Sequence, residues 1–217
     1  MSCPICEKRK AKRYCPAKGE SICAVCCGTE REVTIDCPAD CPHLIQARRY
    51  EAEHFQENAR KFPREEILFA DVEIPPQLIQ AWQPVVSGLG FEMLKFARDA
   101  VLLADGDVLA AVSALAESYR TLGSGIYYEK PPESPVAGGL YAALAAFLEA
   151  AKKQEADQAS FPSLKDGEIF FLLVFLWRVG KHRTSGRPKS RAFLDFLRAQ
   201  YPKSAEIEKE APRIVMP

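Results

Sequence analysis

The first 45 residues, MSCPICEKRKAKRYCPAKGESICAVCCGTEREVTIDCPADCPHLI, hold every cysteine of the 217-residue chain: Cys3, Cys6, Cys15, Cys23, Cys26, Cys27, Cys37 and Cys41. His43 follows two positions after the last of them. Large apolar side chains are scarce here, and Cys, Pro and charged residues take their place. A segment of that composition cannot build a hydrophobic core large enough to fold, so bound metal has to replace it. The other four-fifths of the chain has no cysteine and reads as helix. The expected fold class is therefore mainly α, with a small N-terminal zinc-binding module followed by an all-α helical domain.

Structural zinc takes four soft ligands in a tetrahedron, commonly offered as pairs two to four residues apart. Cys3-Pro-Ile-Cys6 and Cys23-Ala-Val-Cys26 are two such pairs, separated by 16 residues, and together they complete one Cys₄ site. Cys15, Cys27, Cys37 and Cys41 remain for a second site, with His43 as a ninth candidate ligand. Adjacent Cys26 and Cys27 would then serve different ions, and two zinc ions are expected. A cysteine-saturated site leaves no position for water or substrate, so the zinc reads as structural. An iron–sulfur cluster or thiol redox chemistry is the alternative use of the same sulfurs, and it would show as colour.

This ligand order resembles the RING and B-box class of cross-braced, treble-clef-like zinc modules, over about residues 3–43. The resemblance implies Cys3/Cys6 and Cys23/Cys26 as the first site. It implies Cys15 with Cys27, Cys37 and Cys41 or His43 as the second. Cys15 has no partner two to four residues on, a departure from the paired pattern, and ubiquitin ligation is not carried over. No family is recognised for the helical remainder.

Charge narrows the partners. Lys plus Arg equals Asp plus Glu at 29 each, so no global field draws the chain to nucleic acid or to an acidic membrane. Residues 1–62 carry 11 Lys/Arg against 9 Asp/Glu. Two Zn²⁺ and eight thiolates would turn that slight positive excess slightly negative. Two local runs stand out nevertheless. Lys8-Arg9-Lys10-Ala11-Lys12-Arg13 lies between cysteines, and residues 181–191 (KHRTSGRPKSR) contain no acid. Lys10, Lys12, Arg13, Arg183 and Arg187 are the candidate anion-binding residues. Tyr127 and Tyr128 sit in a glycine-containing loop and suit recognition of a protein, since tyrosine joins a large contact area to a polar tip.

The chain opens without a charged n-region and apolar h-region, which reads as no secretory signal and a cytoplasmic location. The longest apolar run, Ile169–Trp177, is nine residues against the roughly 20 needed to cross a bilayer, so no membrane partner is expected. There is no G-x-S-x-G, Walker loop or H-E-x-x-H, and the three histidines fall in separate elements, so nothing points to an enzyme. The favoured reading is a zinc-binding adaptor with a protein partner. The alternative is a nucleic-acid-binding regulator using segments 8–13 and 181–191.

The expected organisation is a cysteine-rich module at 1–45, helix and linker at 46–75, the helical domain at 76–202 and a tail at 203–217. Helices are expected from Leu44 to Lys61, Gln77 to Gln83, 84 to 103, Asp107 to Leu122, Pro135 to about Ala156, from Asp166 through the apolar IFFLLVFLW core, and from Arg191 to Tyr201. Residues 64–74 read as a short strand or a linker. Asp107 and Asp166 are the expected N-caps.

Overall fold

Eight helices and one two-stranded sheet are present among the described residues of the computed structural model, which are 1–54, 68–123, 125, 129–157 and 164–201. The chain divides into two compact units. One comprises Met1–Asp71 with Thr184–Ala192, and the other Val72–Arg183 with Phe193–Pro217.

The first unit is built around the cysteines. Strands β1 (Arg13–Cys15) and β2 (Glu20–Ile22) pair antiparallel in the register Arg13↔Ile22, Tyr14↔Ser21 and Cys15↔Glu20. The turn between them uses Gly19 at φ +68°, a conformation that glycine adopts without steric cost. Helix α1 (Ala24–Glu30) and helix α2 (Pro42–Glu53) follow. A small core holds Cys3, Cys15, Ile22, Cys23, Cys26 and Ile35, with Ile5, Cys6, Cys27 and Cys37 packed on it. Sulfur thus fills most of the space that aliphatic side chains would take in a larger domain. The hairpin was not anticipated from sequence: three-residue strands are too short to show alternation.

The second unit is all helix: α3 (Pro76–Ala81), α4 (Gln83–Asp99), α5 (Asp105–Gly123), α6 (Pro135–Asp157), α7 (Asp166–Arg183) and α8 (Ala192–Gln200, whose first residue belongs to the first unit). The apolar core of α7 buries Ile169, Phe170, Leu172, Leu173, Val174, Leu176 and Trp177, as expected of a central helix. It packs on α5, which also meets α6, while α4 meets α6. Small residues permit the close crossings. A Cβ on Gly88 would lie 2.2 Å from Phe147, and one on Gly180 would lie 3.0 Å from both Leu109 and Phe193.

Several boundaries differ from the sequence reading. Helix α2 begins at Pro42, two residues early, and its expected continuation past His54 lies outside the described residues. Leu68–Asp71 form turns and Val72–Pro75 no regular element, so the described part of 64–74 is linker and not strand. Helix α4 stops at Asp99, where Val101 and Leu102 turn outward to solvent and Leu103 returns to the core. Helix α5 starts at Asp105, not Asp107. Asp107 instead reaches back from the first turn to accept the Ala104 N–H at 3.1 Å, while its other oxygen takes the Ser134 hydroxyl at 3.0 Å. Asp105 is fully buried and accepts the N–H groups of Phe193 and Leu194 at the start of α8. Helix α7 likewise begins at Asp166 itself. Glu168 supplies the reach-back to the Lys165 N–H, and Asp166 pairs with Lys152 at 2.8 Å. Among the described residues, no helix is long and apolar enough to cross a membrane.

Candidate metal centre

Two tight turns aim four sulfurs at one point. In the first, Glu7 N–H donates to the Cys3 carbonyl at 2.7 Å and Cys3 N–H donates to Arg9 at 2.8 Å, with Glu7 held at φ +54°. This folds Cys3-Pro-Ile-Cys6 back on itself and turns the N–H groups of Lys8 and Arg9 toward the Cys6 sulfur. In the second, Cys23 caps α1, its sulfur accepting the Cys26 N–H at 3.4 Å, so Cys26 lies in the first helical turn facing Cys23. Strand β2 delivers Cys23, and the β1–β2 pairing ties that delivery to the first turn.

The four sulfurs of Cys3, Cys6, Cys23 and Cys26 lie within 4.8 Å of one another, and Cys6 and Cys23 are 3.9 Å apart. A tetrahedron of thiolates at about 2.3 Å from zinc has edges of about 3.8 Å. The donor set therefore fits a single four-coordinate ion with small adjustment. Cys3, Cys23 and Cys26 are buried and Cys6 is half-buried.

The electrostatics favour a cation at the centre. The N–H groups of Lys8 and Arg9 bring the Cys6 thiol down to about 6. Burial works against the Cys3 thiolate, but the N–H groups of Cys23, Cys6 and Ile5 outweigh it and lower that thiol too. Burial holds the Cys26 thiol up at about 12, and the neighbouring sulfurs of Cys23, Cys6 and Cys3 add to this. Four like groups cannot ionise together without an opposing charge, and a bound dication supplies it.

A pH dependence follows. Near neutral pH the metal-free site already holds Cys6 as thiolate, while Cys26 keeps a proton that an incoming ion must displace. Metal uptake should release protons, and affinity should fall as pH drops through about 6, where Cys6 is protonated as well. Calorimetry in buffers of different ionisation heat would measure the release. Uptake without proton exchange would contradict this assignment of ligands.

The other expected metal residues are placed less tightly. Cys15 and Cys41 are buried, Cys27 and Cys37 half-buried, and His43 is half-buried in the first turn of α2. Burial raises the Cys37 thiol, with Cys41 and Cys15 close enough to add to the effect. Among the described residues, no second set of three ligand atoms closes to the spacing of the first.

The two basic runs have different fates. Lys8, Arg9, Lys10 and Lys12 are exposed, and Arg13 is half-buried in β1. Lys10 joins Ser2 in an isolated bridge, which places Lys10, Lys12 and exposed Tyr14 alternately along one extended segment. Among the described residues these cations form no ion pair. In the 181–191 run, Arg183, Arg187, Lys189 and Arg191 instead have partners within the molecule. Arg183 lies over the Phe196 ring at 4.2 Å. Arg187 donates to the carbonyls of Gly28 at 2.9 Å and Arg31 at 2.6 Å. Tyr127 and Tyr128 lie outside the described residues.

Sequence reasoning missed Glu32. It is 3% exposed, sits at φ +53° just past the end of α1, and accepts Arg48 at 2.8 Å and the Ser185 hydroxyl at 2.9 Å. In the sequence it is one acid in a charged run, with nothing to mark it as buried. No family model, curated protein or solved structure matches the chain.

Proposed function

We propose that this is a non-catalytic interaction protein whose N-terminal unit is folded by zinc and presents a recognition surface to a protein partner. The observation that carries the metal is the single buried Cys₄ cluster with sulfur spacing suited to one ion. Tetrahedral S₄ ligation suits zinc. An iron–sulfur cluster sets each cysteine on its own iron or shares two irons between pairs, and so spreads the sulfurs further. Saturation by four thiolates supports a structural role, since no ligand position is left for a reacting group. Cys15, Cys27, Cys37 and Cys41 are assigned a second zinc, supported by the common core in which Cys15, Cys27 and Cys37 pack.

The partner surface is assigned to this same unit because large apolar side chains stand exposed on it: Tyr14, Val25, Val33, Ile45 and Tyr50. They accompany the unpaired cations of segment 8–13. Exposed apolar and cationic side chains on the same unit suit an acidic protein segment carrying aromatic or aliphatic anchors.

Nucleic-acid binding is the second reading, and it rests chiefly on segment 8–13 with Tyr14, because the Arg187 guanidinium is engaged by the Gly28 and Arg31 carbonyls. Lys10→Glu with Lys12→Glu separates the two. If nucleic acid is bound, retention should fall by about tenfold or more and depend steeply on salt. If retention of RNA and DNA is weak and unaltered by the pair, the protein partner stands. Elemental analysis of freshly purified protein, with an absorption spectrum, tests the metal directly. Zinc without colour supports the proposal, and iron with visible bands overturns it.

A further inference from the structure

The cysteine unit is completed by a segment more than a hundred residues away in sequence. Thr184–Ala192 belongs to the same compact unit as Met1–Asp71. Its bonds are specific and fall on one short target, residues 28–36. Arg187 takes the carbonyls of Gly28 and Arg31, at the end of α1. Lys189 donates its backbone N–H to the Glu32 carbonyl at 2.8 Å and its ammonium to the Thr34 carbonyl at 2.9 Å. Ser185 donates its hydroxyl to the Glu32 carboxylate, and Arg191 pairs with Asp36 at 3.3 Å. The segment is also shaped for the task. Gly186 sits at φ +71°, and the fully buried Ser190 side chain accepts the Ser185 N–H at 3.2 Å.

The strap grips the C-terminal end of helix α1 and the residues just after it, and α1 is seven residues long. A helix of that length does not persist in water unless something external holds it. Its first turn carries Cys26 and its cap is Cys23, both members of the metal cluster. Its last carbonyls are held by Arg187, a cation suited to a helix C-terminus. Metal at one end and the strap at the other therefore stabilise the same two turns of backbone.

We infer that Thr184–Ala192 is a metal-sensitive strap, bound across residues 28–36 while the Cys3/Cys6/Cys23/Cys26 site is loaded and released when the ion is lost. The inference rests on that cluster holding metal. Loss of the ion frees Cys23 and Cys26, α1 frays, and the carbonyls that Arg187 grips lose their common direction. Release would free Arg187, Lys189 and Arg191 together from their partners at 28–36, as a cationic segment that the loaded protein keeps engaged. Coupling runs both ways, so weakening the strap must also weaken metal binding.

Hydrogen exchange on the full chain, with and without a strong zinc chelator, tests this. The amides of Ser185, Lys189 and Ser190 are hydrogen-bonded in the strap. Chelation should speed exchange in peptides covering 184–192 by about tenfold or more, together with 24–35, while buried α7 stays protected. Arg187→Gln should lower zinc affinity by about fivefold or more by competition with a metallochromic chelator. Ser185→Ala, a milder change, should shift both readouts in the same direction. Zinc content of the same samples separates the two claims. A chain that takes up no zinc overturns the metal reading and the strap with it. A chain that binds zinc but keeps 184–192 protected after chelation overturns the strap alone, as does unchanged affinity in both variants.

Discussion

A Cys26→Ser chain should lose its metal and the ordered structure of residues 1–54 while keeping most of its helical circular-dichroism signal. Cys26 is buried, sits in the first turn of α1 and shares the cluster with three other thiols. A serine hydroxyl is a poor zinc ligand, and the remaining three sulfurs cannot close the tetrahedron. Structural zinc sites contribute roughly 10–16 kcal/mol in apparent terms, more than the whole net stability of many domains. The sulfur-lined core of this unit has only a few aliphatic residues, chiefly Ile22 and Ile35, to set against that contribution. The helices of the second unit have their own buried residues and should remain. Zinc analysis and circular dichroism on the same sample decide the matter. Retained zinc would remove Cys26 from the ligand set, and complete loss of helix would show that the two units fold only together.

The second large effect belongs to Asp105. Its carboxylate has no exposed surface, and it accepts two backbone N–H groups, from Phe193 at 3.1 Å and Leu194 at 3.3 Å. These donors open α8, where a helix has no internal acceptors for its first N–H groups. Asp105→Ala removes the acceptor and leaves both donors buried. It should lower stability by about 3 kcal/mol, the sum of a lost cap and of unsatisfied buried donors. For a chain of this length that corresponds to a fall in Tm of about 6–12 °C. Asp105→Asn keeps one acceptor oxygen and should fall between wild type and Ala. Denaturant midpoints read from the helical signal would measure both. A loss below about 1 kcal/mol in the Ala variant would mean that α8 is held by the packing of Phe193 and Leu197 and not by its cap.

How far these features could be read from sequence depends on how local their causes are. The Cys₄ cluster was legible because each pair closes through a turn of four residues. The helices of the second unit were legible because Pro135, the acidic Asp105-Gly-Asp107 at a helix start and the all-apolar run Ile169–Trp177 are local signals. Asp107 was expected as the N-cap and instead reaches back to the Ala104 N–H, while the role of Asp105 at the start of α8 was illegible because its partners Phe193 and Leu194 lie far along the chain. The basic run at 181–191 reads as a solvent-facing or anion-binding segment by composition. Only the fold reveals that Arg187 and Lys189 find backbone carbonyls near positions 28–34. Glu32 was illegible for the same reason: its burial is created by Arg48 and Ser185, neither of which its neighbours announce.

The discontinuity of the first unit has a consequence for how the protein is made. Residues 1–71 leave the ribosome well before residue 192 does, and at about 5–20 residues per second the gap is on the order of ten seconds. During that interval all eight cysteines are present without the distant segment that completes their compact unit. The cysteine-rich segment is thus made first and completed last, and its free thiols meet the cell before residues 184–192 can cover positions 28–36.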